Sequence, residues 1–134
     1  MFSKTNLIST LVGAIWAYLG GWLLWEILGA SLFESPSDAV PDQVHLIIAC
    51  VISAFAFSTI YSKLSGGGHS LSHGAQFGLW VGIFTGFGER WFDFAFGDIT
   101  SLSDAVVNGI LNLVFFVVLG VLVSMVYGKL SSSE

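Results

Sequence analysis

Hydrophobic residues in this chain fall in four long runs, roughly Leu7 to Phe33, Gln43 to Leu64, His73 to Phe96 and Asp104 to Gly128. Each run reaches or exceeds the ~20 residues that a helix needs to cross ~30 Å of hydrocarbon, so the pattern predicts four transmembrane helices. Polar and turn-forming residues are concentrated in the short connectors Glu34-Ser35-Pro36-Ser37-Asp38, Ser65-Gly66-Gly67-Gly68-His69-Ser70 and Gly97-Asp98-Ile99-Thr100-Ser101. Spans and connectors use up most of the chain, which leaves no stretch for an extramembrane domain.

The four runs are related in pairs. Ser37-Asp38-Ala39-Val40 recurs as Ser103-Asp104-Ala105-Val106, and Tyr61-x-Lys63-Leu64-Ser65 as Tyr127-x-Lys129-Leu130-Ser131, both at an offset of 66 positions. An ungapped repeat of this kind implies a helical hairpin used twice in the same orientation, residues 1–66 and 67–134. The expected fold is an all-α integral membrane protein with four transmembrane helices from a duplicated helical hairpin.

Composition identifies the solvent. With 54% hydrophobic and 10% charged residues and a mean hydropathy of +0.84, 134 residues cannot supply the polar shell of a soluble fold. The first run is too long for the h-region of a signal peptide and lacks an A-x-A-like site, so it is expected to stay as a helix. Lys4, Lys63 and Lys129 fall on one side of a four-span arrangement, and Glu34, Asp38, Asp42, Asp98 and Asp104 on the other. The positive-inside rule then predicts a bacterial-type inner (plasma) membrane protein with both termini cytoplasmic. The net charge of -5 comes with no basic patch, so no nucleic-acid partner is expected. Cys50 is the single cysteine, which excludes an intrachain disulfide and reads as a packing thiol.

In the third run Gly74, Gly78, Gly82 and Gly86 recur every four residues and form a small-residue stripe for close helix packing. Gly13, Ala17 and Gly21 make a weaker stripe in the first run. The stripes leave open whether the partner helix belongs to the same chain, and a homo-oligomer or a larger membrane complex is expected alongside the lipid bilayer.

Ionisable residues inside the runs are the main candidates for function, because a centrally placed charge costs roughly 2.5 to 3.5 kcal/mol even on insertion scales. Glu26 lies in the first run and Glu89, Arg90 and Asp93 in the third, where three- and four-residue steps continue the glycine stripe. Asn108 and Asn112 stand one turn apart in the fourth. These six are expected to form a polar cluster at the outward end. One reading is an ion-pair lock in which Arg90 neutralises a glutamate and the asparagines complete the hydrogen bonds. The other is a carboxylate with a raised pKa that exchanges a proton or binds a cation.

His69 and His73 are weak metal candidates by their spacing, but no carboxylate or cysteine nearby would complete a shell, so a solvated pair at the interface is expected and no metal or cofactor is assigned. His45 lies on the opposite side. The 5 tryptophans and 12 phenylalanines read as packing and interfacial residues, with Trp91, Phe92, Phe94 and Phe96 as part of an aromatic belt. No nucleotide-binding loop, hydrolase triad or zinc-protease motif occurs, so the chain is not expected to be an enzyme. The opening Gly74-Ala-Gln-Phe-Gly78 and the close Tyr127-Gly-Lys resemble small bacterial four-helix membrane proteins in general, which implies no activity.

The sequence therefore points to a non-enzymatic helper or scaffold subunit of a membrane assembly. The alternatives are a minimal oligomeric transporter or channel using Glu26 and Glu89 for proton or cation binding, and a lipid- or quinone-binding accessory protein.

Overall fold

The structure is a computed structural model that describes residues 2–34, 42–65, 68–97, 99 and 101–130. The repeat anchor Ser37-Asp38-Ala39-Val40, along with Gly66, Gly67, Asp98, Thr100 and Ser131, lies outside the described residues. All regular structure among those described is helical. In chain order it comprises α1 (Lys4–Gly21), the π-helical segment π1 (Trp22–Leu28), α2 (Gly29–Leu32), α3 (Gln43–Leu64), α4 (Leu71–Gly82), the second π-helical segment π2 (Ile83–Glu89), α5 (Trp91–Ala95) and α6 (Leu102–Leu130).

Helix starts follow local chemistry. Ser3 Oγ accepts from Asn6 N and Ser70 Oγ from His73 N, while the Asp42 carboxylate accepts from Val44 N and His45 N. Ser101 Oγ accepts from Asp104 N at the start of α6. Each cap satisfies a donor that the first helical turn leaves orphaned. Bonding to the His45 amide and side chain holds the Asp42 carboxyl below its ordinary range. Lys63 and Lys129 sit in the last turns of α3 and α6, where a cation complements the helix dipole.

Three rods, Lys4–Leu32, Gln43–Leu64 and Leu102–Leu130, are long and apolar enough to cross a membrane. The third run also folds as a rod, α4 leading directly into π2, but it turns at Arg90 and is less apolar. The reason is compositional: Gly74, Gly78, Gly82 and Gly86, with His73 and Gln76, stand where the other rods carry larger apolar residues.

Contacts run antiparallel along each neighbouring pair. From α1 to α3, Asn6 meets Thr59, Gly13 meets Ala54, and Tyr18 meets Gln43. From α1 and π1 to α6, Asn6 meets Tyr127, Trp16 meets Phe115, and Trp25 meets Asn108. From α4 and π2 to α6, Gly74 meets Gly120, Gly78 meets Phe116, and Gly86 meets Gly109. The lateral order is therefore α3, α1, α6, α4, with α1 against α6 joining the two hairpins. The backbones of α3 and α4 stay apart and are bridged by rings, Phe57 to Phe77 at 4.9 Å and Tyr61 to Phe77 at 5.5 Å.

The whole glycine stripe of α4 and π2 is spent on α6. An added Cβ would collide with Gly120 O and Ser124 Oγ at Gly74, and with Phe116 O at Gly78. At Gly82 it would stand 3.0 Å from Leu113 Cα, and at Gly86 2.6 Å from Asn112 Cβ. Gly120 answers from α6, since a Cβ there would strike Gly74 O. Backbone therefore lies on backbone, which in lipid replaces the missing hydrophobic drive by van der Waals contact. In the first rod a Cβ added at Gly13 would stand 3.1 Å from Ala54 Cβ, whereas Gly21 faces open space.

The bundle is apolar outside and buries polar as well as apolar side chains inside. Leu11, Ile15, Leu19, Ile48, Ile52, Trp80 and Phe84 are exposed, while Thr5, Asn6, Ser9, Thr10, Ser58 and Ser124 are buried. The core between them is aromatic: Phe57, Tyr61 and Tyr127 pack with Leu119 and Val123, flanked by Trp16, Phe77, Phe115 and Phe116.

Candidate functional site

Polar side chains gather at two ends of the bundle, a lysine end (Lys4, Lys63, Lys129) and an acid end (Glu34, Asp42, Asp104). At the lysine end they form one buried network. Asn6 Oδ1 accepts from Ser58 Oγ and from Tyr127 Oη at 3.0 Å, and Asn6 Nδ2 donates to Thr59 Oγ1 at 3.0 Å. One amide thus ties α1 to α3 and α6. Next to it Tyr61 Oη and His69 Nδ1 share a hydrogen bond of 2.9 Å. The Tyr61 ring lies 5.5 Å from that of Tyr127 and 6.0 Å from that of His73. Burial, reinforced by His73, pushes the His69 imidazole below its ordinary pKa. Ser9 Oγ is fully buried beside this network with no hydrogen-bond partner among the described residues.

His69 is thus half-buried against two tyrosines, in place of the solvated pair expected from the loop sequence, because the chain after Gly68 folds back over the ends of α3 and α6. Among the described residues no three His, Cys, Asp or Glu side chains come close enough to share a metal ion.

At the acid end the six residues read as one cluster are dispersed. Asn108 Oδ1 accepts from Trp25 Nε1 at 3.0 Å, and Asn112 Nδ2 donates to Asn108 O within α6. Arg90 pairs with Asp93 at 3.4 Å on the surface. Glu26 and Glu89 are both exposed, and neither makes a hydrogen bond or ion pair among the described residues. The expected extension of the glycine stripe through Glu89, Arg90 and Asp93 stops at Gly86. In π2 the hydrogen bonds span five residues, as in Arg90 N to Thr85 O at 3.0 Å. The extra residue per turn carries the next side chains off the three- and four-residue stripe. Glu26 sits in π1 in the same way. Within this end Asp104, buried at 5% exposure, accepts from Glu34 N at 2.6 Å and ties the end of the first rod to the start of α6.

Asn6, Ser58, Thr59 and His69 were not singled out as a unit by sequence reasoning. The available signal was the repeat anchor Tyr61/Tyr127, whose rings meet at the centre of the network. His45 pairs at 3.3 Å with Asp42 in the open, and Cys50 is a buried free thiol.

Two grooves on the outer surface are lined almost wholly by apolar side chains. The larger, about 560 Å³, lies between α3 and α4 and includes Ala56, Phe57, Ile60, Phe77, Trp80 and Phe84. The other, about 410 Å³, lies between α1 and α3 over Leu11, Ile15, Ile47 and Val51.

Fold and surface define the class: an all-α protein with helices suited to a membrane. Compared with known protein families, with curated proteins and with solved structures, the chain matches none.

Proposed function

We propose that this chain is a non-enzymatic helper or scaffold subunit of a larger inner-membrane assembly, built as four spans from a duplicated hairpin with both termini cytoplasmic. The outward direction of its ionisable groups carries the reading. Glu26 and Glu89 point away from the bundle, so one copy offers no internal route between them. A carboxylate facing hydrocarbon costs roughly 2.5 to 3.5 kcal/mol, and a cation on a neighbouring membrane protein removes that cost. Asn6, Ser58, Thr59 and Tyr127 inside the bundle, by contrast, hydrogen-bond to one another and serve to hold it.

Four spans result if α4 and π2 cross the membrane with their glycine face covered by α6, which explains their lower hydropathy. The duplicated hairpin is supported by matching parts: serine caps at Ser3 and Ser70, π segments directly after Gly21 and Gly82, and Tyr61 beside Tyr127.

Native mass spectrometry after mild extraction from the source membrane tests the proposal. A heteromeric particle is expected, and Glu26→Gln with Glu89→Gln should release the partner while the isolated chain stays folded. The matched π segments favour a second reading, since such segments often mark functional sites: an oligomeric transporter whose carboxylates line a path between copies. A lone homo-oligomer with proton or cation flux that both Gln variants abolish would replace the helper reading by that one.

A further inference from the structure

The groove between α3 and α4 has the dimensions and the mouth of a phospholipid site. Its α3 wall runs from Ser53 to Leu64. At 1.5 Å per residue that is ~17 Å, close to the ~15 Å depth of a single leaflet. The wall begins at mid-helix and ends at the lysine end. Along this length Phe57, Ile60 and Leu64 face Phe77, Trp80 and Phe84.

The mouth changes character. Lys63 stands beside Leu64, exposed and without an ion pair among the described residues. Across from it, His73 lies one turn before Phe77, and Gln76 one turn before Trp80, so an imidazole and an amide stand at the α4 rim. The acidic side chains within the described residues all lie toward the opposite end. An ammonium with no acid nearby among the described residues, at the level where headgroups lie, complements a negative lipid.

The shape argues against a helix as occupant. Helices in lipid approach through small residues, and the small stripe of α4 is already covered by α6. What α4 and π2 offer this groove is Phe77, Trp80 and Phe84, two of them strongly exposed. Bulky rings with irregular gaps suit a flexible hydrocarbon chain better than a rigid rod.

The relation between the hairpins gives the groove its place. The junction of α1 with α6 has a counterpart by the repeat, α4 with α3. The first is packed and cross-linked by Trp16 Nε1 donating to Phe115 O at 2.9 Å. The second is left open and apolar. We propose that an anionic phospholipid fills this open junction, one acyl chain between α3 and α4 and its phosphate at Lys63, and so completes the packing of the second pair.

The test is Trp80 fluorescence in reconstituted full-length protein. Acyl-brominated phosphatidylglycerol and phosphatidylcholine of equal chain length are titrated into wild type, and the signal that disappears in Trp80→Phe is followed. Quenching by phosphatidylglycerol is expected at about fivefold lower mole fraction, the effect of one lysine near a charged headgroup. Lys63→Gln should erase that difference and leave quenching by phosphatidylcholine unchanged. Ala56→Leu, which fills the groove without adding a fluorophore, should weaken access of both lipids to Trp80. Equal quenching of wild type by the two lipids, or a preference that survives Lys63→Gln, would overturn the proposal. So would a dimer that Ala56→Leu converts to monomer, because a second copy would then occupy the groove.

Discussion

At the lysine end Asn6 accepts from Ser58 and Tyr127 deep in the bundle, while at the acid end Glu26 and Glu89 stand on its outer surface with no hydrogen bond among the described residues. Polar residues occur at both ends, and their position relative to the helix axes separates the outcomes. Asn6 lies in the first turn of α1, on the face that meets both α3 and α6, so its amide can serve two helices. Glu26 and Glu89 lie in π segments, where the register shift turns them outward. A polar group turned inward in lipid must be bonded within the protein, because the surrounding hydrocarbon offers nothing. One turned outward must meet water, a headgroup or another protein. The lysine end thus holds the chain together through one buried network, and at the acid end Glu26 and Glu89 face outward.

Breaking this contrast needs a measure of what losing the bundle looks like. Gly78→Leu supplies it, since even a Cβ there strikes the α6 main chain at Phe116. We expect the largest loss, about 3 kcal/mol by the cost of overpacking, read from reversible unfolding in bicelles. Asn6→Leu should come next, at about 2 kcal/mol, because it leaves the hydroxyls of Ser58 and Tyr127 without their shared acceptor. The matching change at the other end, Glu26→Gln, should move the stability of the isolated chain by less than about 0.5 kcal/mol. Equal losses from Asn6→Leu and Glu26→Gln would erase the distinction between the ends.

An effect of opposite sign, smaller than that of Asn6→Leu, sharpens it. Ser9 Oγ is buried with no partner among the described residues, so Ser9→Ala should stabilise the protein by up to about 1 kcal/mol in the same assay. The smallest effect concerns pH. The folded-state pKa of His69 is lowered from 6.5 by burial and by His73, so the folded protein binds fewer protons than the unfolded chain in the window below 6.5. Its contribution is fully present above that pH and is lost as pH falls toward the folded value. Melting of wild type should therefore weaken slightly as pH drops below 6.5, and His69→Gln should flatten the slope.

Parts of this design were legible along the chain. The spacing of Gly74, Gly78, Gly82 and Gly86 marked a contact face, because a helix repeats every 3.6 residues and glycine leaves room for backbone. That the face belongs to α6 of the same chain could not be read, since the repeat fixes which hairpin precedes which and not which rods touch. The offset that links Tyr61 to Tyr127 was also visible. Their meeting at 5.5 Å around Asn6 and His69 was not, because it joins residues far apart in sequence and depends on how α1 lies against α3 and α6. Glu26 and Glu89 were visible as costly charges, but their direction was hidden in two π segments that no spacing rule reveals.

Sequence by itself determined the solvent and the helical character, through the length and apolarity of the runs and the polar caps that begin them; both rest on local composition and on the bilayer's intolerance of unbonded backbone. Tertiary structure decided which side chains became interior and which became surface. That depends on the lateral order α3, α1, α6, α4 and on a register shift of one residue in π1 and π2. Rotation about a helix axis is set by neighbours, so the same glutamate could have been a buried site or, as here, an outward one.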